Sequence, residues 1–566
     1  MCIMLNRASI AVIQEFGLVS RAGSAQTFPN NDRMGVCAMA RRRFNEESWF
    51  NWEQPAAPLF LDLTFEACAD EFRRIFGFPF FTSVLFYRDE GEATNTTVAS
   101  WLLRYEEGVA VGRLLVDRLM LPSFAAEFEV RWECACSELL DLARLMRSKP
   151  GDELKRVAIF SAAFLRYYAL GSITEPVQWY CEEEIRRWFR SPAGADLSAN
   201  LGFGVDEAAA ALYTMSGEPY AFTIERSLLK LAIDASGPGV EDAAFAAHAD
   251  RYHWKTNNYA RVHDVTAANV RVEVEGLARS GPSDRLTKLE EQRREALARR
   301  ARVLGEVPQR IRRLSMLADE FGSGLADARK AVMNESLSGL AASVARLAEL
   351  WGAPMSDVSM IGPSELEDFA EDRAGLGAVA TARRLAYVQT LAPSPLDDAE
   401  MAAAMPSPTD SSFIVPRQEA VGTAEGEDAI ELLEELDVHM ALFEADDAPT
   451  GVRGEPVIVA GLDVPSISGR ARVIVDPVSQ LDEFRDGEIL LASSTTPDYV
   501  PLMRRAAAIV TNMGGMLQHA AHFAREERKP CIVGTGFATS AFATGDHLTI
   551  DLITGRVAHS QEEGSR

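Results

Sequence analysis

Residues 511–521 read Thr511-Asn512-Met513-Gly514-Gly515-Met516-Leu517-Gln518-His519-Ala520-Ala521 and follow the apolar stretch Ala508-Ile509-Val510. The apolar stretch predicts a buried strand, the paired glycines a tight turn, and the histidine with two alanines the start of a helix. The first turn of a helix has backbone N–H groups without a partner inside the helix, and its dipole favours an anion. The stretch therefore predicts an anion site at His519, above all a phosphoryl group carried by the imidazole.

The sequence around this stretch alternates between strand and helix patterns from about residue 455 onward. The predicted strands are 456–460, 469–476, 488–492, 508–511, 530–533 and 547–551, and the predicted helices are 499–506 and 518–527. Short apolar runs separated by helical segments are typical of an α/β domain. We therefore expect a compact α/β domain over residues 455–560.

The rest of the chain is expected to form a separate, mainly α-helical body, because 566 residues are too many for a single core. Apolar residues recur at helical spacing over residues 64–390, which predicts the body itself. Residues 1–63 predict an irregular N-terminal segment. The prolines and serines of residues 391–454 predict a linker or a small irregular subdomain.

The composition of the chain indicates which binding partners and which cell compartment to expect. Lysine and arginine number 57 and aspartate and glutamate 83, so the net charge is 57 − 83 = −26, which argues against nucleic acid and anionic membranes. The 7 cysteines form no CxxC pair, which favours a reducing cytoplasm. We expect no membrane span, and no cluster of side chains predicts a bound metal.

Several spaced motifs around His519 resemble one known family. The motif Gly514-Gly515 before His519-Ala520-Ala521 is followed by Ala524-Arg525-Glu526, Pro530, Val533-Gly534 and Thr535-Gly536. Further matching elements are Ser466, Gly469, Gly487–Leu490, Thr496–Tyr499, Gly545-Asp546, Asp551 and Gly555–Val557. Together they resemble the phosphohistidine swivelling domain of the PEP-utilising enzymes, which include phosphoenolpyruvate (PEP) synthase, pyruvate phosphate dikinase and rifampin phosphotransferase.

This resemblance implies a β/β/α swivelling domain in which His519 accepts a phosphoryl group and later donates it. Gly514, Gly515, Gln518 and Thr511 are then the residues expected to cradle the phosphoryl oxygens. The sequence departs from the family where Leu517 and Gln518 replace the usual Ser, Thr or Cys before the histidine, so regulation through a neighbouring threonine is not expected. His522 also stands where the family prefers an aliphatic residue.

A complete dikinase also needs an ATP-grasp domain, and no glycine-rich phosphate loop precedes residue 455 apart from the isolated Gly202-Phe203-Gly204. A helical body joined to a swivelling domain resembles rifampin phosphotransferase without its ATP domain. It also resembles the large subunit of phenylphosphate synthase, whose nucleotide site lies on another polypeptide. The resemblance therefore implies that ATP and Mg²⁺ bind to a separate ATP-grasp partner.

A polar and aromatic cluster in the body offers candidates for acceptor binding or for a general base. The candidates are His248, His253, Trp254, Lys255, Asn258 and Tyr259. A histidine is well suited to take the proton of an acceptor hydroxyl. The alternative is a polar, aromatic helix end that packs in the core, and the sequence leaves both interpretations open.

Taken together, the sequence predicts a phosphotransferase that moves a phosphoryl group from His519 to a hydroxyl of a mainly apolar small molecule. Two alternatives stay open. One is a dehydratase that phosphorylates a hydroxyl and then eliminates phosphate, with His248 or His253 as base. The other is a regulatory phosphocarrier that has no small-molecule acceptor.

Overall fold

The protein is described from a computed structural model. The described residues are 49–89, 97–236, 240–259, 262–279, 281–371, 373–392, 420–430 and 451–560, with gaps in the last range at 458, 460–463, 476, 478–479, 496–498, 513–518 and 537. The architecture is a mainly helical body followed by a C-terminal domain built on a sheet, as the sequence predicts.

The body contains helices that we number in chain order. They are α1 (Pro58–Glu66), α2 (Phe72–Phe76), α3 (Tyr105–Leu119), α4 (Pro122–Ser148), α5 (Glu153–Gly171), α6 (Thr174–Phe189), α7 (Pro192–Leu201), α8 (Val205–Leu212), α9 (Tyr220–Ser236), α10 (Asp242–Tyr252), α11 (Ala267–Ala278), α12 (Pro282–Glu306), α13 (Gln309–Leu317), α14 (Leu325–Trp351), α15 (Met355–Val358), α16 (Leu366–Glu371) and α17 (Leu376–Leu385). Short π-helical turns, Ala67–Glu71 and Ala318–Gly324, and 3₁₀ turns, His253–Thr256 and Pro363–Glu365, connect some of them.

One helical stretch, Glu153–Phe189, is long and apolar enough by composition to cross a membrane. It consists of α5 and α6, and 72% of its most apolar window is buried inside the protein. Phe160, Phe164 and Ile185 are fully buried against neighbouring helices. Most of this stretch is therefore packed inside the helical body.

Helices α3 and α6 cross closely because α3 has glycines one turn apart on the contact face. A Cβ atom at Gly112 would lie 1.9 Å from the carbonyl oxygen of Pro176, and one at Gly108 would lie 2.4 Å from the ring of Trp179. Neither position tolerates a side chain without moving α6. This crossing brings Tyr105, the first residue of α3, against the polar side of α6.

A five-stranded antiparallel sheet, which the sequence analysis did not anticipate, packs against the helices. Its strands are β1 (Trp49–Pro55), β2 (Ser83–Asp89), β3 (Thr97–Arg104), β4 (Ala386–Ala392) and β5 (Ala420–Glu425), in the order β1-β3-β2-β4-β5. Strand β1 lies in the predicted N-terminal segment, and β5 lies in the predicted linker. Strands β2, β3 and β4 lie within residues 64–390, where the sequence predicts mainly helices. Short buried apolar runs have no periodicity that separates strand from helix, so the sequence did not reveal these strands.

The C-terminal domain is an eight-stranded mixed sheet with helices. Its elements are β6 (Val452–Arg453), β7 (Glu455–Pro456), β8 (Ser466–Val473), β9 (Ile489–Ala492), α18 (Val500–Arg505), β10 (Ala508–Thr511), α19 (His519–Glu527), β11 (Cys531–Val533), α20 (Ala538–Ala541), β12 (His547–Asp551) and β13 (Arg556–His559). The strand order is β6-β13-β12-β8-β9-β10-β11-β7.

Alternate residues of the central strands belong to two different cores. Leu490 and Ile509 face the side of α18 and α19 and join the core of the body, whereas Ile489 and Val510 join a second core with α20 and β12. One face of the domain therefore packs toward the helical body. The predicted α/β domain is confirmed, with β12 and β13 forming its closing hairpin.

Candidate functional site

The site is built on parallel strands that end at one edge of the sheet. Strand β9 pairs in parallel with β8 and with β10, and β10 pairs in parallel with β11. All residues of β9, β10 and β11 are buried. Their carboxyl ends meet at a common edge, which is where α/β sheets place their ligands.

Polar residues follow these strands directly. Asn512 comes after β10 and donates its N–H to the carbonyl of Ala492, 3.1 Å away at the end of β9. Thr535, after β11, donates both its N–H (3.1 Å) and its hydroxyl (2.9 Å) to the carbonyl of Thr511. These bonds fix the three strand ends relative to one another.

Asn512 also fixes the start of α20. Its Nδ2 donates to Oγ1 of Thr539 at 2.6 Å, and its Oδ1 accepts from the backbone N–H of Thr539 at 2.9 Å. Asn512 is 6% exposed, so this two-point contact is shielded from water. Sequence analysis did not single out Asn512 or Thr539, because their contact spans 27 residues.

Helix α19 begins at His519, as the sequence predicts. Ala520, Ala521 and Ala524 are 3%, 0% and 0% exposed, so small side chains bring the helix close to the sheet. Because α19 connects two parallel strands, its first turn lies toward the carboxyl edge, with its N–H groups facing that way. Of the phosphoryl-cradling candidates, Thr511 is buried at the end of β10, whereas Gly514, Gly515 and Gln518 lie outside the described residues.

Ser493, which sequence analysis missed, adds a hydroxyl at the same edge. It follows the last residue of β9, and its Oγ is buried with no hydrogen-bond partner among the described residues. A buried hydroxyl without a partner costs stability. The signal available in the sequence was a small hydroxyl residue directly after a buried strand.

The body candidates fall into three environments. His248 is 5% exposed in α10, with Nδ1 3.0 Å from Oγ of Ser227. Its Nε2 is buried with no hydrogen-bond partner in the described part of the chain. Burial, together with the charges of Lys255 and Arg251, lowers the pKa of His248 to about 4, so the ring is neutral at physiological pH.

His253 belongs to a second environment, against α14. Its Nδ1 lies 3.0 Å from Oδ1 of Asp264, and the same oxygen accepts from the hydroxyl of Ser338 at 2.7 Å. Arg147 lies 2.9 Å from the other oxygen of Asp264. Burial alone would raise the pKa of Asp264, but the hydrogen bonds from His253 and Ser338 and the charge of Arg147 lower it below its usual range.

The remaining candidates are also held by neighbouring side chains. Trp254 is buried edge-on to Tyr220, with ring centroids 5.5 Å apart, and Lys255 pairs with Glu273. Tyr259 is 8% exposed, and burial raises its pKa to about 12. Asn258 is half-buried beside it. The structure thus divides these residues among several contacts.

Ion pairs dock the C-terminal domain on the body. Arg186 of α6 lies 3.4 Å from Glu455 of β7, and Arg528, directly after α19, lies 3.2 Å from Glu295 of α12. Arg504 of α18 pairs with Glu225 of α9. The helix that begins at His519 therefore lies against α12, and the domain contacts helices α6, α9 and α12.

The C-terminal region is similar to a known protein family. Residues 484–555 match the family described as PEP-utilising enzyme, mobile domain. The chain is 43% identical over 116 residues to the phosphoenolpyruvate synthase of Aquifex aeolicus, which is 20% of this chain and 13% of that protein. It is 44% identical over 102 residues to the phosphoenolpyruvate synthase of Pyrococcus furiosus, 18% of this chain and 12% of that protein.

A third relative, the probable phosphoenolpyruvate synthase of Staphylothermus marinus, is 50% identical over 98 residues, 17% of this chain and 12% of that protein. The chain thus spans only about an eighth of the length of the relatives it matches. The family match covers residues 484–555, which lie within the C-terminal domain and include His519.

Proposed function

Since the C-terminal domain of this chain belongs to the mobile domains of the PEP-utilising enzymes, we propose that His519 carries a phosphoryl group and passes it to a hydroxyl of a small organic acceptor. The observation that carries the proposal is the start of α19 at His519, beside the carboxyl edge of β9, β10 and β11. Unpaired N–H groups at this helix start stabilise a phosphorylated imidazole.

The reaction divides into two displacements at phosphorus. In the first, a ring nitrogen of neutral His519 attacks the phosphoryl group of the donor, forming an N–P bond as the P–O bond to the donor breaks. In the second, the acceptor oxygen attacks the same phosphorus and the N–P bond breaks. The hydroxyl proton passes to a base, and the nitrogen regains its lone pair.

We further propose that a separate ATP-grasp protein binds ATP and Mg²⁺ and phosphorylates His519. This rests on the sequence, in which residues 1–454 have no glycine-rich phosphate loop. A mobile domain brings one histidine to two sites at high effective concentration. The chain would act in the cytoplasm, where ATP is available.

The acceptor is proposed to be mainly apolar and to bind in the helical body. His253 is the better candidate for the base, because Asp264 fixes its Nδ1 and leaves Nε2 for the acceptor proton. His248 is neutral at physiological pH and stays the second candidate, with Trp254, Lys255, Asn258 and Tyr259 as proposed acceptor contacts.

Intact-mass spectrometry tests the phosphocarrier role. The protein is incubated with an ATP-grasp protein from the same organism, ATP and Mg²⁺. Wild type and His547→Ala, which changes an exposed histidine of the same domain, should each gain one phosphoryl group, whereas His519→Ala should gain none. A gain by His519→Ala equal to wild type, or no gain by wild type, contradicts the proposal.

The fate of the phosphoryl group separates the alternatives. A transferase yields a phosphorylated acceptor. A dehydratase yields free phosphate and a product that has lost water. A regulatory carrier keeps the phosphoryl group on the protein while no small molecule is consumed.

A further inference from the structure

A cavity of about 350 Å³ lies where the end of α6 meets the start of α3 and α7. Its lining is rich in charged side chains: Tyr105, Glu182, Glu183, Arg186, Arg187, Arg190 and Ser191. None of these residues belongs to the acceptor cluster predicted from the sequence. The volume is at the lower end of the range for small-molecule sites.

Among the residues that line the cavity, Glu182 is the buried one. This residue is 8% exposed, and its Oε1 is buried with no hydrogen-bond partner among the described residues. Burial raises the pKa of Glu182 to about 7, although the positive charges of Arg186 and Arg525 lower it. A buried carboxyl oxygen without a partner is costly to the protein unless a ligand group completes it.

The lining contains three guanidinium groups, although the chain as a whole is strongly acidic. Arg186 pairs with Glu455, and Arg187 pairs with Glu184 and Glu183, whereas no ion pair of Arg190 is described in this part of the structure. Ser191 is the N-cap of α7, where its hydroxyl accepts from the N–H of Gly194, so the positive end of this helix dipole also faces the cavity. Guanidinium groups bind carboxylate and phosphoryl oxygens in matched pairs of hydrogen bonds.

Two residues of the cavity lining, Arg186 and Glu182, interact with the C-terminal mobile domain. Glu455, the partner of Arg186, pairs in β7 with Val533, the last residue of β11. Arg186 therefore lies at the carboxyl edge of the sheet, the edge toward which the first turn of α19 points. Glu182 lies one turn earlier and interacts with Arg525, which follows His519 by six residues, about 9 Å along α19.

These two contacts set the direction of α6 relative to α19. Glu182 interacts with Arg525 in the last turn of α19, Arg186 pairs with Glu455 at the edge of the sheet, and Arg190 lies one turn beyond Arg186. The row of arginines therefore extends toward the end of α19 where His519 begins the helix.

We propose that this cavity binds the oxyanion group of a small molecule, with Arg187 and Arg190 as donors from its open side and Glu182 at its base. That the small molecule is the acceptor, anchored by a carboxylate or phosphoryl group while its hydroxyl faces phospho-His519, rests on the function proposed above. The binding of the oxyanion itself does not depend on that function.

Glu182 should make this binding depend on pH. Below about pH 7 its carboxyl is protonated and donates a hydrogen bond to the anion, whereas above this value it becomes a carboxylate that repels the anion. The other charged or titratable groups around it are Glu183, Arg186, Tyr105 and Tyr213 in the body and Glu455 and Arg525 in the mobile domain.

Calorimetric titration with sodium sulfate tests the site, because sulfate keeps a constant charge across this pH range. Arg187→Gln/Arg190→Gln alters two exposed side chains and should weaken sulfate binding about tenfold or more, as expected for lost charged hydrogen bonds. Arg131→Gln, an exposed arginine of α4, is the matched control and should bind as wild type. Glu182→Gln should keep at pH 8 the affinity that wild type shows at pH 6.

Absence of sulfate binding to wild type overturns the proposal. Equal binding by the double variant, or equal weakening by Arg131→Gln, also overturns it. His519→Ala should bind sulfate as wild type does, and loss of binding in that variant would place the anion at the phosphohistidine instead of in the cavity.

Competition experiments with benzoate and phenyl phosphate then show whether the cavity binds a carboxylate or a phosphoryl group. Competition with sulfate by either compound supports an acceptor that carries that group, and competition by neither overturns the assignment to an acceptor. If wild type does not bind sulfate in the cavity but His519 is phosphorylated normally, the proposed function still stands. If wild type binds sulfate but His519 is not phosphorylated, the proposed function is contradicted and the oxyanion site still stands.

Discussion

The carboxylate of Glu455 lies 3.4 Å from the guanidinium of Arg186, and this ion pair joins the edge strand of the mobile domain to helix α6 of the body. Together with the pairs of Arg504 with Glu225 and of Arg528 with Glu295, it describes one docked position of the domain. A phosphocarrier that serves two sites must leave such a position, so the ion pairs need to be weak enough to break.

Glu225→Gln should weaken docking, because Glu225 accepts hydrogen bonds from Arg285 of the body at 2.8 Å and also pairs with Arg504. Both arginines are partly exposed, so we expect a loss of about 1 kcal/mol. Hydrogen–deuterium exchange in α18 and α19 should become faster. Glu349→Gln changes an exposed glutamate of α14 and should leave exchange unchanged, and unchanged exchange in Glu225→Gln would count against the docked arrangement.

Asn512→Ala should destabilise the mobile domain and slow phosphorylation of His519. The substitution removes both hydrogen bonds to Thr539 and leaves the backbone N–H of Thr539 without its acceptor. We expect a loss of about 1–3 kcal/mol in the free energy of unfolding, measured by denaturant titration. Asn512→Asp keeps the acceptor oxygen and should lose less. Equal stability of wild type and Asn512→Ala contradicts this role.

Ser493→Ala should separate stability from activity. The hydroxyl of Ser493 is buried and has no hydrogen-bond partner among the residues that the structure describes, so its removal should leave the melting temperature unchanged or raise it slightly. If this hydroxyl contacts the phosphoryl group, phosphorylation of His519 should slow by about tenfold. Ser468→Ala, in exposed strand β8, is the control for the rate. A normal rate in Ser493→Ala excludes the contact.

Asp264→Asn should change how stability depends on pH. The folded protein holds the pKa of Asp264 below its usual value, so ionised Asp264 stabilises the fold fully above about pH 4. That contribution is lost as the pH falls further. The free energy of unfolding should therefore fall less steeply below pH 4 in Asp264→Asn than in wild type. Parallel curves for wild type and Asp264→Asn would refute the stabilised carboxylate.

The sequence predicted the mobile domain well because its signals are local and ordered along the chain. The buried run before Thr511 and the alanines after His519 specify a strand and a tightly packed helix with few alternatives. The same reasoning located the start of α19 at His519.

The sequence did not predict the five-stranded sheet, because its strands come from distant parts of the chain. Strand β2 pairs with β4, about 300 residues later, and nothing local in either strand identifies the other. Glu182 and Arg186 likewise read as a polar turn of an amphipathic helix. Their importance depends on Glu455 and Arg525, which only the folded protein brings near.

The most direct test of the central claim is to locate the phosphoryl group. The protein is phosphorylated with the ATP-grasp protein, ATP and Mg²⁺, digested at neutral or basic pH to preserve an N–P bond, and its peptides are sequenced by tandem mass spectrometry. The account predicts an acid-labile phosphoryl group on His519 that disappears when the acceptor is added. A phosphoryl group on any other residue, or one that resists acid, would contradict it.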